Sequence, residues 1–177
     1  MGLRPAHAYR DIKGQAWTRF SRHKPRRSYV KSRPGSVLRK FDHGDPNAKY
    51  ELQIDLMTED GVQVRDNAIE SARQAVHKYL ETNCPGRYFL RVRVYPHVVL
   101  RENKMITGAG ADRLQTGMQR AFGRPMRIAA RIYANKPIYT VKIMKADLTA
   151  AKEAFRRAKC KLCGHYYLKV TELAAAA

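Results

Sequence analysis

Three soft ligands crowd one stretch near the C-terminus: Cys160, Cys163 and His165, in CKLCGH. Thiolates and imidazole are the donors that tetrahedral zinc prefers, but a closed structural site needs four ligands, usually with a second pair at matching spacing. The fourth would have to be distant Cys84 or one of His7, His23, His43, His77 and His97. Thiols at a helix end are the better reading, and no metal or cofactor is assigned. Gly108-Ala109-Gly110 ahead of a helix invites a dinucleotide loop. The third glycine of that pattern falls on Arg113, and no phosphate loop with Lys-Ser/Thr follows. Asp112 at the helix start would itself repel a phosphate seated on the helix dipole. The carboxylates concentrate in residues 42–81, beside turns and helix starts, and no Ser or Cys nucleophile elbow is present. His97, after Pro96 and between two apolar runs, reads as a hydrogen-bonding core histidine rather than a base. Nothing in these sets argues for catalysis.

The chemistry left is recognition, concentrated in Arg101 to Pro125, RENKMITGAGADRLQTGMQRAFGRP. Its loop, residues 101–112, offers Arg101, Asn103 and Lys104 for phosphate or base contacts. Gly108 and Gly110 reach backbone conformations other residues avoid and let another chain come close. Asp112 is a good N-cap, Leu114, Met118 and Phe122 recur at helical spacing, and Gly123 and Pro125 end the helix. The pattern predicts a polar finger on a packed base.

Charge names the class of partner. The 177 residues include 35 Lys+Arg and 15 Asp+Glu, a formal net charge of +20. Residues 1–40 hold 12 basic and 1 acidic side chains and residues 101–145 hold 10 and 2, whereas residues 41–100 hold 7 and 9. Two basic blocks around a near-neutral body form a footprint for a polyanion. Nucleic acid is preferred to an anionic membrane, because no segment is long and apolar enough to span one. No basic amphipathic helix with a clean apolar face is evident either. Three cysteines make no disulfide framework, and MGLRPAHAYRDIKGQAW lacks an apolar signal core. A cytoplasmic, reduced protein is expected.

The elements that position these blocks can be read in order. Residues 1–40 show no sustained period. Pro5, Gly14, Pro25 and Pro34 interrupt them, and Tyr9, Trp17, Phe20 and Tyr29 stand among the arginines. This is an irregular arm, poorly ordered alone, whose aromatics suit RNA stacking; Trp17 and Phe20 serve equally well to pin it to the body. From Tyr50 to Leu56 apolar and polar residues alternate as in a half-buried strand, with a short second strand at Val62 and Val64. Asp66 or Asn67 caps a helix whose apolar face is Ile69, Ala72, Val76, Tyr79 and Leu80, ended by Cys84-Pro85-Gly86. Strands follow at Tyr88–Val94, Val98–Leu100, Ile128–Tyr133 and Ile138–Met144, the last two joined by a turn at Ala134–Pro137. Asp147 caps a last helix bearing Leu148, Ala151, Phe155, Ala158 and Leu162 in one stripe. Arg156, Arg157, Lys159 and Lys161 lie near its C-terminal end, where cations complement the dipole. A strand at Tyr166–Val170 closes the fold. The expectation is a single compact α+β domain with helices packed on an antiparallel or mixed sheet. It comprises an arm (1–40), a body (41–173) with the internal loop, and an alanine tail (174–177).

Five stretches, in order along nearly the whole chain, resemble one family: RPAHAYR (Arg4–Arg10), RDNAIESAR (Arg65–Arg73), RVRVYPHVVLRENKM (Arg91–Met105), GAGADRLQTGMQRAFGRP (Gly108–Pro125) and EAFRRAKCKL (Glu153–Leu162). The family is the large-subunit ribosomal protein family called L-sixteen in its bacterial branch and L-ten-e in its archaeal and eukaryotic branch. The chain is similar to the archaeal side. The resemblance implies an α+β body of the hammerhead type and a structural, non-enzymatic role in the large subunit. It implies partners in large-subunit rRNA, the 5S rRNA region, tRNA, neighbouring ribosomal proteins and assembly factors. By position, the arm would thread rRNA through Arg4, Arg10, Lys13, Arg19, Arg22, Lys24, Arg26, Arg27, Lys31 and Arg33. The loop would face tRNA near the peptidyl transferase centre through Arg101, Asn103, Lys104, Met105, Thr107, Gly108, Gly110 and Arg113. Late joining during subunit assembly is a further implication. The alternatives are a free-standing metal-dependent RNA-processing enzyme built on Cys160, Cys163 and His165, or a basic assembly chaperone.

Overall fold

The alternation at residues 52–58 becomes strand β2 (Leu52–Thr58), whose even-numbered residues are all buried and whose odd-numbered ones are half-buried. A period of two can bury only one face, and that face carries Leu52, Ile54 and Leu56 into the main core. The computed structural model describes residues 4–12, 16, 18, 23–28, 30, 32–103 and 123–173. The finger helix expected over residues 112–122, with Leu114, Met118 and Phe122, lies outside the described residues, as do Trp17, Phe20, Tyr29 and the alanine tail.

The other strands are β1 (Asp42–Gly44), β3 (Val62–Arg65), β4 (Tyr88–Val92), β5 (Val98–Glu102), β6 (Arg124–Ile132), β7 (Pro137–Ile143) and β8 (Tyr166–Glu172). Helices α1 (Asp66–Asn83) and α2 (Leu148–Lys159) complete the set. The strands form two antiparallel sheets rather than one: five strands in the order β1-β4-β7-β2-β8, and three in the order β3-β6-β5. The turn between β6 and β7, with Asn135 at φ 59°, therefore carries the chain from one sheet to the other. Asparagine tolerates this left-handed backbone better than most residues. Ile69, Val76 and Leu80 of α1 and Ala151, Ala154, Phe155 and Ala158 of α2 join the inward residues of β2, β4 and β7 in one core. Tyr139 is buried at its centre, and its hydroxyl donates to the Ile69 carbonyl at 2.5 Å. That bond ties the middle of the sheet to α1.

Three local expectations change in the folded chain. Asp66 and Asn67 are the first two residues of α1 rather than its cap, and Arg65 occupies the cap position. The fully buried Asp66 carboxylate instead accepts the Val37 backbone N–H at 3.1 Å, with the Arg127 guanidinium 4.0 Å away. It anchors the chain where the arm enters the body. Asp147 does stand at the N-cap of α2, but its backbone (φ −94°, ψ 9°) is not the extended form that side-chain capping uses, and no capping bond forms. Its carboxylate lies 3.3 Å from Arg87. His97 is exposed, not core; Pro96 beside it is buried. The two apolar runs flanking His97 belong to different sheets, so the connection between them passes over the surface.

A polar cluster closes the edge where β1 meets α1. The His43 and His77 rings stack at 4.4 Å, and Arg73 donates to His43 Nε2 at 2.6 Å and pairs with Glu70. An acceptor nitrogen must be unprotonated, so His43 is held neutral. Burial, and then the Arg73 charge, lower its pKa from 6.5 to about 4. A histidine depressed in the folded state contributes stability above its unfolded pKa and loses it as pH falls toward the folded value. Chemical denaturation should therefore show stability falling between about pH 6.5 and 4, with a shallower fall in His43→Gln. An identical pH profile in that variant would place the effect elsewhere.

Candidate nucleic-acid interface

The arm is held along the three-stranded sheet at successive points. Arg4 Nε donates to Glu102 Oε1 at 2.7 Å across 98 positions of sequence, and Arg65 donates to the Arg4 carbonyl at 2.7 Å. The Gln63 side chain donates to the Tyr9 carbonyl at 2.9 Å, and its backbone N–H donates to the Arg10 carbonyl at 2.7 Å. Farther on, Val30 is buried with Val99 and Ile128 in a second small core. Arg33 donates to the Pro96 carbonyl at 2.9 Å and the Tyr95 hydroxyl at 3.2 Å. Leu38 enters the main core. A segment with no period of its own thus gains order from donors on β3, which its own carbonyls accept, and from an apolar slot that β5 and β6 supply.

This places the expected contacts unequally. Arg26 and Arg27 are exposed on a one-turn helix at Pro25–Arg27, with exposed Lys24 at its cap, and Arg10 is exposed with Asp11 3.8 Å away. Arg4 and Arg33 are engaged with the protein, through Glu102 and through Tyr95 and Pro96. Arg101 and Asn103 are half-buried at the root of the loop. Lys13, Arg19, Arg22, Lys31, Lys104, Met105, Thr107, Gly108, Gly110 and Arg113 lie outside the described residues.

The loop root itself is well built. β5 and β6 pair from Val98↔Ala129 to Glu102↔Arg124, with a register shift between Leu100 and Arg101. Pro125, opposite Arg101, has no N–H to give the ladder, and such residues sit at bulges or edges. The two ends of the loop therefore leave the sheet from paired positions. Because Arg4 docks on Glu102, the start of the arm lies at that same root.

The basic end of α2 is partly neutralised within the protein. Glu153 receives both Arg156 and Arg157, at 2.7 and 3.2 Å, and their hydrogen bonds hold its carboxyl at about 2. Arg157 also lies 4.2 Å over the Tyr79 ring. The Cys163 and Cys84 thiols are not poised as thiolates. Burial raises the pKa of Cys163, whose Sγ donates to the Gln63 carbonyl at 3.6 Å, and burial together with Asp147 raises that of the buried Cys84. Among the described residues, no three His, Cys, Asp or Glu side chains gather where a metal ion could be held.

The chain matches the family Ribosomal protein L16p/L10e over residues 15–169. It belongs to that family. Large ribosomal subunit protein uL16 of Hyperthermus butylicus is 44% identical, over 92% of this chain and 89% of its own length. The protein of the same name from Staphylothermus marinus is 43% identical over 92% and 90%, and that from Methanocella arvoryzae 40% over 96% and 95%. This L16p/L10e member is of the archaeal type, as its motifs suggested, and is a structural, non-enzymatic component of the large ribosomal subunit. Ribosomal RNA and ribosomal proteins are its partners by that membership. No helix among the described residues is long and apolar enough to cross a membrane.

Sequence reasoning passed over two side chains on this surface. Tyr95 and Tyr133 are 50% and 62% exposed. Their mark in the sequence is slight: each is an aromatic at a strand end, one before Pro96 and the other before the Ala134–Pro137 turn.

Proposed function

We propose that this protein binds large-subunit rRNA near the 5S rRNA through its arm and extends residues 101–112 toward aminoacyl-tRNA near the peptidyl transferase centre. In this reading it acts on the cytoplasmic ribosome and joins the subunit late in assembly. One observation carries it: the Arg4–Glu102 contact at 2.7 Å, made across 98 positions of sequence, brings the two basic blocks together at the root from which the loop leaves. One continuous cationic end can then engage rRNA with the arm and project the loop beyond it. Peptidyl transfer belongs to RNA; the protein orders the acceptor side of tRNA without doing chemistry.

Each Lys or Arg that neutralises a phosphate releases counterions, so binding weakens with salt by about 0.7 to 0.9 log units per contact per decade. Replacing both Arg26 and Arg27 with Ala should weaken binding of large-subunit rRNA and reduce the salt slope by about 1.4 to 1.8. Binding titrations over a range of potassium chloride would measure it, and an unchanged slope would remove this turn from the interface. Arg101→Ala and Lys104→Ala address the loop in the same way. Co-sedimentation of a tagged copy with mature large subunits at high salt separates a resident protein from an assembly chaperone, which would be confined to precursor particles.

A further inference from the structure

We propose that the cleft between the β4–β5 connection and the β6–β7 turn is a binding site for unpaired RNA bases, stacked on Tyr95 and Tyr133 with phosphates held by Arg93 and Lys136. This rests on the RNA-binding reading above and adds a surface which that reading does not use. The cleft encloses about 420 Å³ and is lined by both tyrosines together with Arg93, His97 and Lys136. The remaining aromatic side chains of the described body are buried or half-buried. Two exposed rings sharing one cleft therefore need a separate reason. The charge around them supplies it, since no carboxylate among the described residues lines this cleft. Aromatic faces flanked by cations are what single-stranded nucleic acid binds, because every base has a π-face and every linkage a charge. Paired bases hide those faces inside the duplex, so a helix would not use the site.

Both rings stand on prepared supports. Tyr95 stacks on Phe41 with centroids 5.9 Å apart and an interplanar angle of 26°. Arg33 donates to its hydroxyl and lies 5.4 Å from its ring centroid. The turn carrying Tyr133 and Lys136 is held by buried Thr58, whose hydroxyl donates to the Tyr133 carbonyl at 2.9 Å and whose N–H donates to the Lys136 carbonyl at 3.2 Å. In return, the Asn135 N–H donates to the Thr58 carbonyl at 2.9 Å, and the Tyr167 hydroxyl donates to Asn135 Oδ1 at 2.9 Å. Backbone order of this kind is in place before a ligand arrives, so little entropy is lost on stacking.

The test measures the full-length protein against fluorescent hexa-adenylate and against an abasic oligomer with the same phosphates. Native protein should favour the adenylate by about 5- to 150-fold, the range of one stacked base. Tyr95→Ala with Tyr133→Ala should abolish that preference and leave the salt slope unchanged. Tyr133→Phe, which keeps the ring, should retain it, and Lys136→Ala should weaken both oligomers and flatten the slope. A native protein without preference, or a tyrosine double variant that keeps it, overturns the proposal. If native protein then still binds structured large-subunit rRNA, only the cleft falls; if it binds neither, the RNA-binding reading falls with it. Retained cooperative thermal unfolding of the variants excludes misfolding as the cause. Preference for an acidic peptide over both oligomers would overturn the assignment in favour of a protein partner.

Discussion

Deleting residues 106–111 should leave the protein folded and yet lower peptide synthesis by large subunits that carry it, by about tenfold or more. The folding half of this expectation follows from the ladder at the loop root. Glu102 pairs with Arg124, so the loop is closed by hydrogen bonds that do not pass through the deleted residues. The main core draws on β2, β3, β4, β6, β7, β8, α1 and α2, and none of these elements includes the deleted residues. Shortening the connection from about 21 to 15 residues changes closure entropy by only about 0.3 kcal/mol. The functional half follows from reach. Six fewer residues, shared between the outward and returning halves, withdraw the tip by up to about 10 Å. Reactants misplaced by even 1 Å can cost about a hundredfold in rate. Thermal unfolding of the free protein and peptide-bond formation by reconstituted subunits measure the two halves separately. Loss of cooperative unfolding would mean the loop is part of the core. Full activity would remove it from the tRNA path.

Phe155→Ala should lower the stability of the fold by about 3–5 kcal/mol. Phe155 is fully buried and lies on the face of α2 that meets β2 and β7. Truncation removes the transfer energy of the ring and also leaves a cavity, because Ile54, Tyr139 and Val76 in the same core belong to strands and a helix that cannot collapse independently. Domains of this size carry about 5–15 kcal/mol in total, so the loss is a large share. Denaturant titration should show a lower midpoint with an unchanged slope. A loss under about 1 kcal/mol would mean that α2 is only loosely docked on the sheet. Because Phe155 is fully buried and offers no surface to RNA, rRNA binding at low temperature should survive the change.

Much of this fold was legible in the residues because local periodicity reports which face of an element is buried. The alternation of Leu52, Ile54 and Leu56, the stripe Ile69, Ala72, Val76 and Leu80, and the stripe Ala151, Phe155 and Ala158 each identified a strand or helix and its inward side. Periodicity does not report which buried face meets which. Nothing local distinguishes one antiparallel sheet from two, or shows that the turn at Asn135 passes the chain between them. Polar partners are equally invisible. Asp66 looked like a cap and serves the Val37 N–H; His97 looked buried and is exposed; and nothing local marked Glu102 and Pro96 as the partners of Arg4 and Arg33 within the protein.

The residues by themselves determined the element types of the described body, the unequal charge, the absence of a catalytic set and the family. These depend on composition, spacing and motifs that survive without folding. Only the tertiary structure decided that the arm and the loop share one root, and that Tyr95 and Tyr133 face a common basic cleft. Both depend on strand partners brought together across long stretches of chain, where packing and backbone hydrogen bonds choose the neighbours and sequence distance carries no information.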